Sequence, residues 1–190
     1  MTACIDTPDA DAINAGLEEK SWRLSHILNT HHHGDHTGAN LSLKERWGCD
    51  IVGAANDEER IPGIDIRVSE GDEYVFGSMK AKVLEVPGHT TGHIAYYFES
   101  EGVAFVGDTL FALGCGRLFE GTPEMMWNSL QKLMDLPDET TVYCAHEYTQ
   151  ANAQFALSVE PGNDSLVARS KEIDDMRAKG LPSVPTTIGL

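Results

Sequence analysis

The sequence predicts an α/β protein built in layers, and two observations carry that reading. Short β-rich runs and helical runs are mixed along the 190 residues rather than segregated into blocks. Four of the β runs also end close to a histidine or an aspartate: "HILNT" runs into His31, "VLEVPG" into His89, "VAFVG" into Asp108 and "TVYCA" into His146. Loops at one edge of a sheet are where a rigid scaffold presents functional groups.

Taken in order, Asp6, Thr7 and Asp9 are helix-start residues, and Ile13 and Leu17, four apart, predict a short amphipathic helix behind them. "RLSHILNT" is short and apolar, a strand running straight into the histidines. "GANLSLKERWG" reads as a helix closed by Gly48, and "CDIVGA" as the next strand. From Glu73 the pattern becomes strand-like, with "EYVFG", "KAKVLEVPG", "HIAYYFE" and "GVAFVGD" separated by Gly, Pro or acidic residues. "TPEMMWNSLQKLMDLP" predicts a helix with Thr122 as N-cap, Pro123 at its first position and Met126, Leu130 and Leu133 on one face. "TTVYCAH" is a further strand. Two helices follow, "YTQANAQFALSV" and "NDSLVARSKEIDDMRAKG", the last ended by Gly180.

Composition removes several function classes. Apolar and charged contents of 41% and 23% are those of an ordinary globular protein. No apolar run approaches the ~20 residues needed to cross a bilayer, and the first residues lack the basic start and apolar stretch of a signal peptide. A cytoplasmic location, with no membrane partner, is the expectation. The net charge of −16 repels phosphate backbones, which disfavours nucleic acid. An anionic substrate would need a local positive charge, and bound metal ions supply one. Cys4, Cys49, Cys115 and Cys144 are scattered, with no C-x-x-C pair, and read as reduced thiols.

Four of the eight histidines lie in "HHHGDH", residues 31–36. In an extended segment alternate side chains point the same way, so His31 and His33 are expected to face together with His32 turned away. Gly34 can adopt conformations closed to other residues, so the chain is expected to bend there and bring Asp35 and His36 back. Two adjacent ligand sets result. Imidazole nitrogen and carboxylate oxygen suit zinc, iron or manganese. Each set has only two ligands, and His89, Asp108 and His146 are candidates to complete them. Asp108, with two oxygens, is the natural shared ligand of a two-metal site. In "PGHTTGH" either His89 or His93 could ligate; His89, directly after the Pro-Gly turn, is better placed, and His93 is assigned a place behind the metal or in packing. Cys144 competes with His146 as a soft ligand. His26, inside a strand, reads as structural.

With these residues aligned, the chain resembles the metallo-β-lactamase superfamily and, within it, the glyoxalase II (hydroxyacylglutathione hydrolase) family. "ILNTHHHGDHTGAN", "VPGHTTGHIAYY", "FVGDTLFALGCGRLFEGTPEMM" and "YCAHEYTQANAQFAL" carry the resemblance, in family order, over most of residues 24–158. It implies an αββα sandwich with two divalent metals, zinc first and iron or manganese next, at the strand ends. His31, His33 and His89 would hold one ion, Asp35, His36 and His146 the other, and Asp108 would bridge. Asp35 and Asp108 are the carboxylates expected to serve catalysis. The family hydrolyses S-D-lactoylglutathione to D-lactate and glutathione, a step of methylglyoxal detoxification, through a metal-bridging hydroxide. Arg117 and Tyr148 match positions that meet glutathione, and Phe119 stands where some relatives have a tyrosine.

The resemblance also implies further strands ahead of "ACIDTPDA" and a helical region after "LPSVPTTIGL", so the chain is expected to be a fragment lacking both. Residues 1–158 would form the catalytic domain and 159–190 the start of the helical substrate-binding region, in a monomer. A glutathione persulfide dioxygenase, another hydrolase of the same fold, and a non-catalytic metal-binding fragment are the alternatives. "GCGRLFEGTPEMM" and the Arg117/Tyr148 context favour the thioesterase.

Overall fold

In a computed structural model that describes all 190 residues, strand and helix alternate through the first third of the chain. β1 (Ala3–Ile5) leads to α1 (Ala10–Glu19), whose cap is Asp9, accepting the Ala12 N–H at 2.8 Å. Then come β2 (His26–Leu28), the single turn α2 (Gly34–Thr37), α3 (Asn40–Trp47), β3 (Asp50–Ala54) and β4 (Ile66–Val68). α3 stops at Gly48, which takes the left-handed conformation at φ 64° that glycine tolerates best. β1–β2–β3–β4 form an all-parallel sheet, with Ile27 level with Cys4 on one side and Ile51 on the other.

The rest of the chain builds the second sheet. β5 (Glu73–Phe76), β6 (Met79–Glu85), β7 (Ile94–Phe98) and β8 (Val103–Gly107) make an antiparallel meander. A small hairpin, β9 (Leu110–Phe111) with β10 (Gly114–Cys115), precedes α4 (Pro123–Met134). β11 (Thr141–Cys144) joins β8 in parallel, α5 (Thr149–Val159) and α6 (Asp164–Ala178) follow, and β12 (Thr186–Thr187) closes the edge.

Three apolar layers hold this together. Leu28, Val52 and Val68 of the first sheet meet Phe76, Val83, Ile94 and Tyr96 of the second. On the outer faces, Leu17 of α1 and Leu43 of α3 cover Ile27 and Ile51, while Leu133 of α4 covers Ala95, Val106 and Val142. A fully buried aliphatic side chain of this kind contributes about 1.5–3 kcal/mol. The result is the expected αββα sandwich. On α4 the face is shifted by one position: Ser129 is buried and Leu130 only half-buried. The Ser129 hydroxyl donates to the Pro87 carbonyl at 2.7 Å, tying α4 to the loop that carries His89.

Strand direction explains why the functional loops meet. β7 runs antiparallel to both β6 and β8, and β11 runs parallel to β8. So β6, β8 and β11 point the same way, and their C-terminal ends open on one edge. The loop after β2 is fastened beside that edge by the Ile94 N–H, which donates to the Thr30 carbonyl at 2.9 Å. No helix is long and apolar enough to cross a membrane, and all four cysteines are unpaired.

Candidate metal centre

The segment after β2 bends at Thr30 and His31 before entering α2, yet its histidines alternate in direction as the sequence predicts. His31 and His33 face inward together. His32 turns the other way and pairs with Asp57 at 3.0 Å. Within the first set, His31 Nε2 lies 3.0 Å from His33 Nδ1, and His89 Nε2 lies 3.1 Å from the same atom. His89 donates its Nδ1–H to the Arg117 carbonyl at 2.8 Å, which leaves its Nε2 lone pair facing the cluster. Burial pushes His31 far below the ordinary histidine range and lowers His33 as well, with neighbouring imidazoles adding to both. Neutral rings whose nitrogens face each other at this separation form a ready donor set for a cation.

The second set is Asp35, His36 and His146. Asp35 Oδ2 is 3.7 Å from His36 Nε2 and 3.5 Å from His146 Nε2. Between the sets stands Asp108, one oxygen 3.5 Å from His36 Nε2, the other 3.5 Å from His89 Nε2 and 3.4 Å from His146 Nε2. Its carboxylate therefore reaches toward both, as a shared ligand must. His36 Nε2 and Asp108 Oδ1 are buried without any hydrogen-bond partner. Two buried acceptors facing each other would be costly alone, and a cation bound by both removes the cost. Burial raises the Asp108 carboxyl above its usual range, against the pull of His36, His146 and His89. Burial alone would depress His36, but the hydrogen bond with Asp6 and the charges of Asp6, Asp108 and Asp35 together outweigh it and raise it. Ligand atoms of His31/His33/His89, of His31/His36/Asp108 and of Asp35/His36/His146 each fall within 4.8 Å of one another. These donors, imidazole nitrogen and carboxylate oxygen, fit two divalent ions.

Gly34 requires a correction. Its backbone is helical, the first residue of α2, and a Cβ there would meet nothing within 4 Å. The helical turn itself, not a glycine-only conformation, brings Asp35 and His36 back. The glycine that the site does need is Gly116, where a Cβ would sit 1.9 Å from the Asp108 carbonyl oxygen. His93 has the supporting place assigned to it: fully buried, it stacks on His31 at 4.6 Å and accepts the Asp108 N–H at 3.0 Å. Cys144 keeps away from the ligand groups, its Sγ 3.7 Å from the His146 carbonyl. His26 sits edge-on to Phe76 at 5.2 Å, a packing role.

The two sets lie at the floor of a cleft of ≈ 650 Å³, whose walls include Phe111, Arg117, Phe119, Tyr148 and Asn152. Tyr148 stacks on His146 at 4.9 Å and Phe119 stands edge-on to His89 at 5.2 Å. All three sequence-chosen substrate residues thus border the cleft that the metal-ligand candidates floor.

Comparison with known proteins identifies the family. The metallo-beta-lactamase superfamily model matches residues 7–146, and the model for the hydroxyacylglutathione hydrolase C-terminus matches residues 147–190. A hydroxyacylglutathione hydrolase of Methylococcus capsulatus is 54% identical over 187 residues, covering 98% of this chain and 73% of its own. One from Brucella ovis is 54% identical over 190 residues, covering 100% of this chain and 74% of its own. This chain belongs to the hydroxyacylglutathione hydrolase family of the metallo-β-lactamase superfamily. Among solved structures, ETHE1 from Myxococcus xanthus superposes with a TM-score of 0.68 at 34% identity, over 77% of this chain and 65% of that one. TTHA1623, solved in a di-iron-bound form, gives 0.66 at 30% identity over 75% and 80%.

Within this family member, one residue at the site carries no local signal. Asp6, read from sequence only as a helix-start residue, instead takes a left-handed backbone (φ 56°) beyond β1. Its carboxylate accepts from the Thr30 N–H and hydroxyl at 2.8 Å each and from His36 Nδ1 at 2.7 Å. Only the parallel pairing of β1 with β2 brings Asp6 to His36, thirty residues on.

Proposed function

We propose that this protein is a metal-dependent thioester hydrolase that converts S-D-lactoylglutathione to D-lactate and glutathione, the disposal step for methylglyoxal. The observation that carries the reading is Asp108 standing between two three-ligand sets on the floor of the cleft, with Arg117 and Tyr148 on its wall. When bound, two divalent ions, zinc in this reading and iron or manganese as substitutes, supply hydroxide at neutral pH and positive charge toward a developing oxyanion.

The protein's own groups do the rest. Asp6 fixes the tautomer of His36 by taking its Nδ1–H, and the Arg117 carbonyl does the same for His89. Asp35, more than half exposed on the cleft, is assigned to accept the proton that the attacking water gives up. Arg117 is the only lysine or arginine lining the cleft, and on a chain of net charge −16 it offers the peptide carboxylates of glutathione their nearest cation. Phe119 and Tyr148 present aromatic surface to the rest of the ligand. The leaving thiol, with a pKa near ~8.5, departs as thiolate without a strong general acid. The reading extends to a cytoplasmic monomer whose catalytic unit is residues 1–158, with 159–190 beginning the helical substrate-binding region.

Metal analysis combined with S-D-lactoylglutathione hydrolysis, on the wild type and Asp108→Ala, tests this. The wild type is expected to hold two ions and turn over, and the variant to lose about 10³-fold in kcat or more. Turnover surviving both chelation and the substitution would overturn the mechanism. One iron per chain with oxygen consumption on glutathione persulfide would overturn the substrate assignment.

A further inference from the structure

His32 is the one histidine of "HHHGDH" that the metal centre does not use, and its surroundings are built. Its Nδ1 pairs with Asp57, whose side chain is only 1% exposed. Asp57 also accepts from Arg60 Nε. Arg60 then forks onto Glu120, Nη1 to Oε1 at 2.5 Å and Nη2 to Oε2 at 3.2 Å, the bidentate geometry that fixes both position and orientation. Glu120 Oε2 further accepts the Thr91 N–H at 2.7 Å and its hydroxyl at 2.9 Å. Arg60, first among its neighbours, holds the Glu120 carboxyl down at about 2, so this junction stays ionised at any working pH.

Four chain segments meet here, and three of them carry the site. His32 lies between His31 and His33. Thr91 lies between His89 and His93. Glu120 follows Phe119 and lies three residues past Arg117. The loop holding Arg117 and Phe119 contacts the His89 turn through backbone as well: the Phe119 N–H donates to the His89 carbonyl at 3.2 Å and the Gly121 N–H to that of Gly88 at 3.1 Å. Side chains complete the attachment on this side: the Arg117 carbonyl accepts from His89 and Glu120 accepts from Thr91, while the Glu120–Arg60 fork ties the loop to a segment outside the His89 turn. Asp57 is seated directly on the His89 turn, since a Cβ on Gly92 would come within 2.5 Å of its carboxyl carbon.

We propose that Arg60 and Glu120, seated on Asp57 and His32, are positioning residues that hold the Arg117–Phe119 loop over the first ligand set and so set the affinity for the glutathione part of the substrate. The proposal rests on the glutathione thioester reading above. Neither residue touches the cleft floor, so breaking the fork loosens the loop and leaves the metal ligands in place.

The test is a double-mutant cycle on the full chain, with Arg60→Met, Glu120→Gln and the double variant, followed by steady-state kinetics, metal content and amide hydrogen exchange. Each single variant is expected to raise KM about ten-fold with kcat changed less than about two-fold. The double variant is expected to be no worse than Arg60→Met alone, since Glu120→Gln removes only the fork that Arg60→Met has already broken, whereas Arg60→Met also strips Asp57 of a donor. Metal content should stay at the wild-type value, and Arg60→Lys should restore KM only in part, because a single ammonium cannot fork. Exchange in the metal-free protein should quicken across residues 116–121 in all three variants. Additive effects, a loss confined to kcat, or unchanged exchange in that loop would each overturn the clamp. The exchange experiment needs no turnover, so a wild type inactive on this thioester would fail the functional reading while leaving the clamp to be decided on its own result.

Discussion

The two ligand sets share Asp108 but are built differently. In the first, His31 is fully buried and His89 nearly so, both backed by packed groups: His93 behind His31, the Arg117 carbonyl behind His89. In the second, only His36 is buried; the His146 side chain is 25% exposed and that of Asp35 is 58% exposed. Two of the three imidazoles of the first set are thus part of the core, folding the protein as well as offering lone pairs, and only His33 is half-buried on the cleft. The second is half core and half surface, with its open side on the cleft. An ion in the first set should be held by preorganised nitrogens. One in the second should exchange more readily, and it faces substrate.

Truncating one ligand from each set should expose this difference most. His31→Ala removes a fully buried ring stacked on His93 and should cost about 2–4 kcal/mol of folding stability along with metal. His146→Ala, at the rim, should cost less than about 1 kcal/mol and leave roughly one ion per chain. Thermal melts with metal analysis decide it. Equal destabilisation by the two variants would abolish the distinction between core and rim sets.

Asp6→Asn is the next largest effect. The amide can still accept from Thr30, but it no longer brings a negative charge to His36 Nδ1. Loss of a carboxylate behind a metal-binding histidine typically weakens the ion by about 10–100-fold. The loss should fall on the second set alone, visible as one weakened site in a competitive chelator titration. Weakening of both sites equally would mean that Asp6 acts through the whole loop.

Acid should separate the sets in the metal-free protein. His31 and His93 titrate below the ordinary histidine value in the fold, chiefly through burial, so the unfolded chain takes up their protons first. Their contribution is complete above about pH 6.5 and is lost as the pH falls below it, by up to about 1.4 kcal/mol per pH unit for each. His36, raised against its burial by Asp6, Asp108 and Asp35 together, has the opposite sign: its contribution is present below about pH 6.5 and is lost as pH rises through its raised value. Melts of chelated protein between pH 8 and 5 should therefore fall on the acid side, and Asp6→Asn should lessen the alkaline loss. An acid limb no steeper in wild type than in His93→Gln would remove His93 from this account.

What was legible in the sequence follows a physical line. Ligands were legible because His and Asp at the ends of apolar strands have few other uses, and the strand ends themselves were marked by β-branched runs. All seven candidates meet where that pattern put them. The division into a parallel and a mainly antiparallel sheet was not legible, since strands as short as β4 or β12 carry no periodicity and pairing direction leaves no local trace. Nor were the supporting groups. Asp6, Asp57, Arg60 and Glu120 are ordinary surface residue types, and only tertiary pairing tells them from solvated charges.

Gly34 is where sequence reasoning assigned a residue a need it does not have, and the smallest predicted effect tests the reason. Glycine between the two ligand pairs suggested a bend that only glycine could make. The chain instead turns there with helical geometry, and nothing stands within 4 Å of where a Cβ would be. Alanine fits that conformation and narrows the unfolded ensemble, so Gly34→Ala should leave both ions in place and raise stability by about 0.5 kcal/mol. Gly116→Ala is the contrast, because its Cβ would collide with the Asp108 carbonyl and displace the shared ligand. If Gly34→Ala instead loses metal, the site requires a backbone freedom at residue 34 that the folded geometry does not use, and the turn between the sets moves when it is loaded.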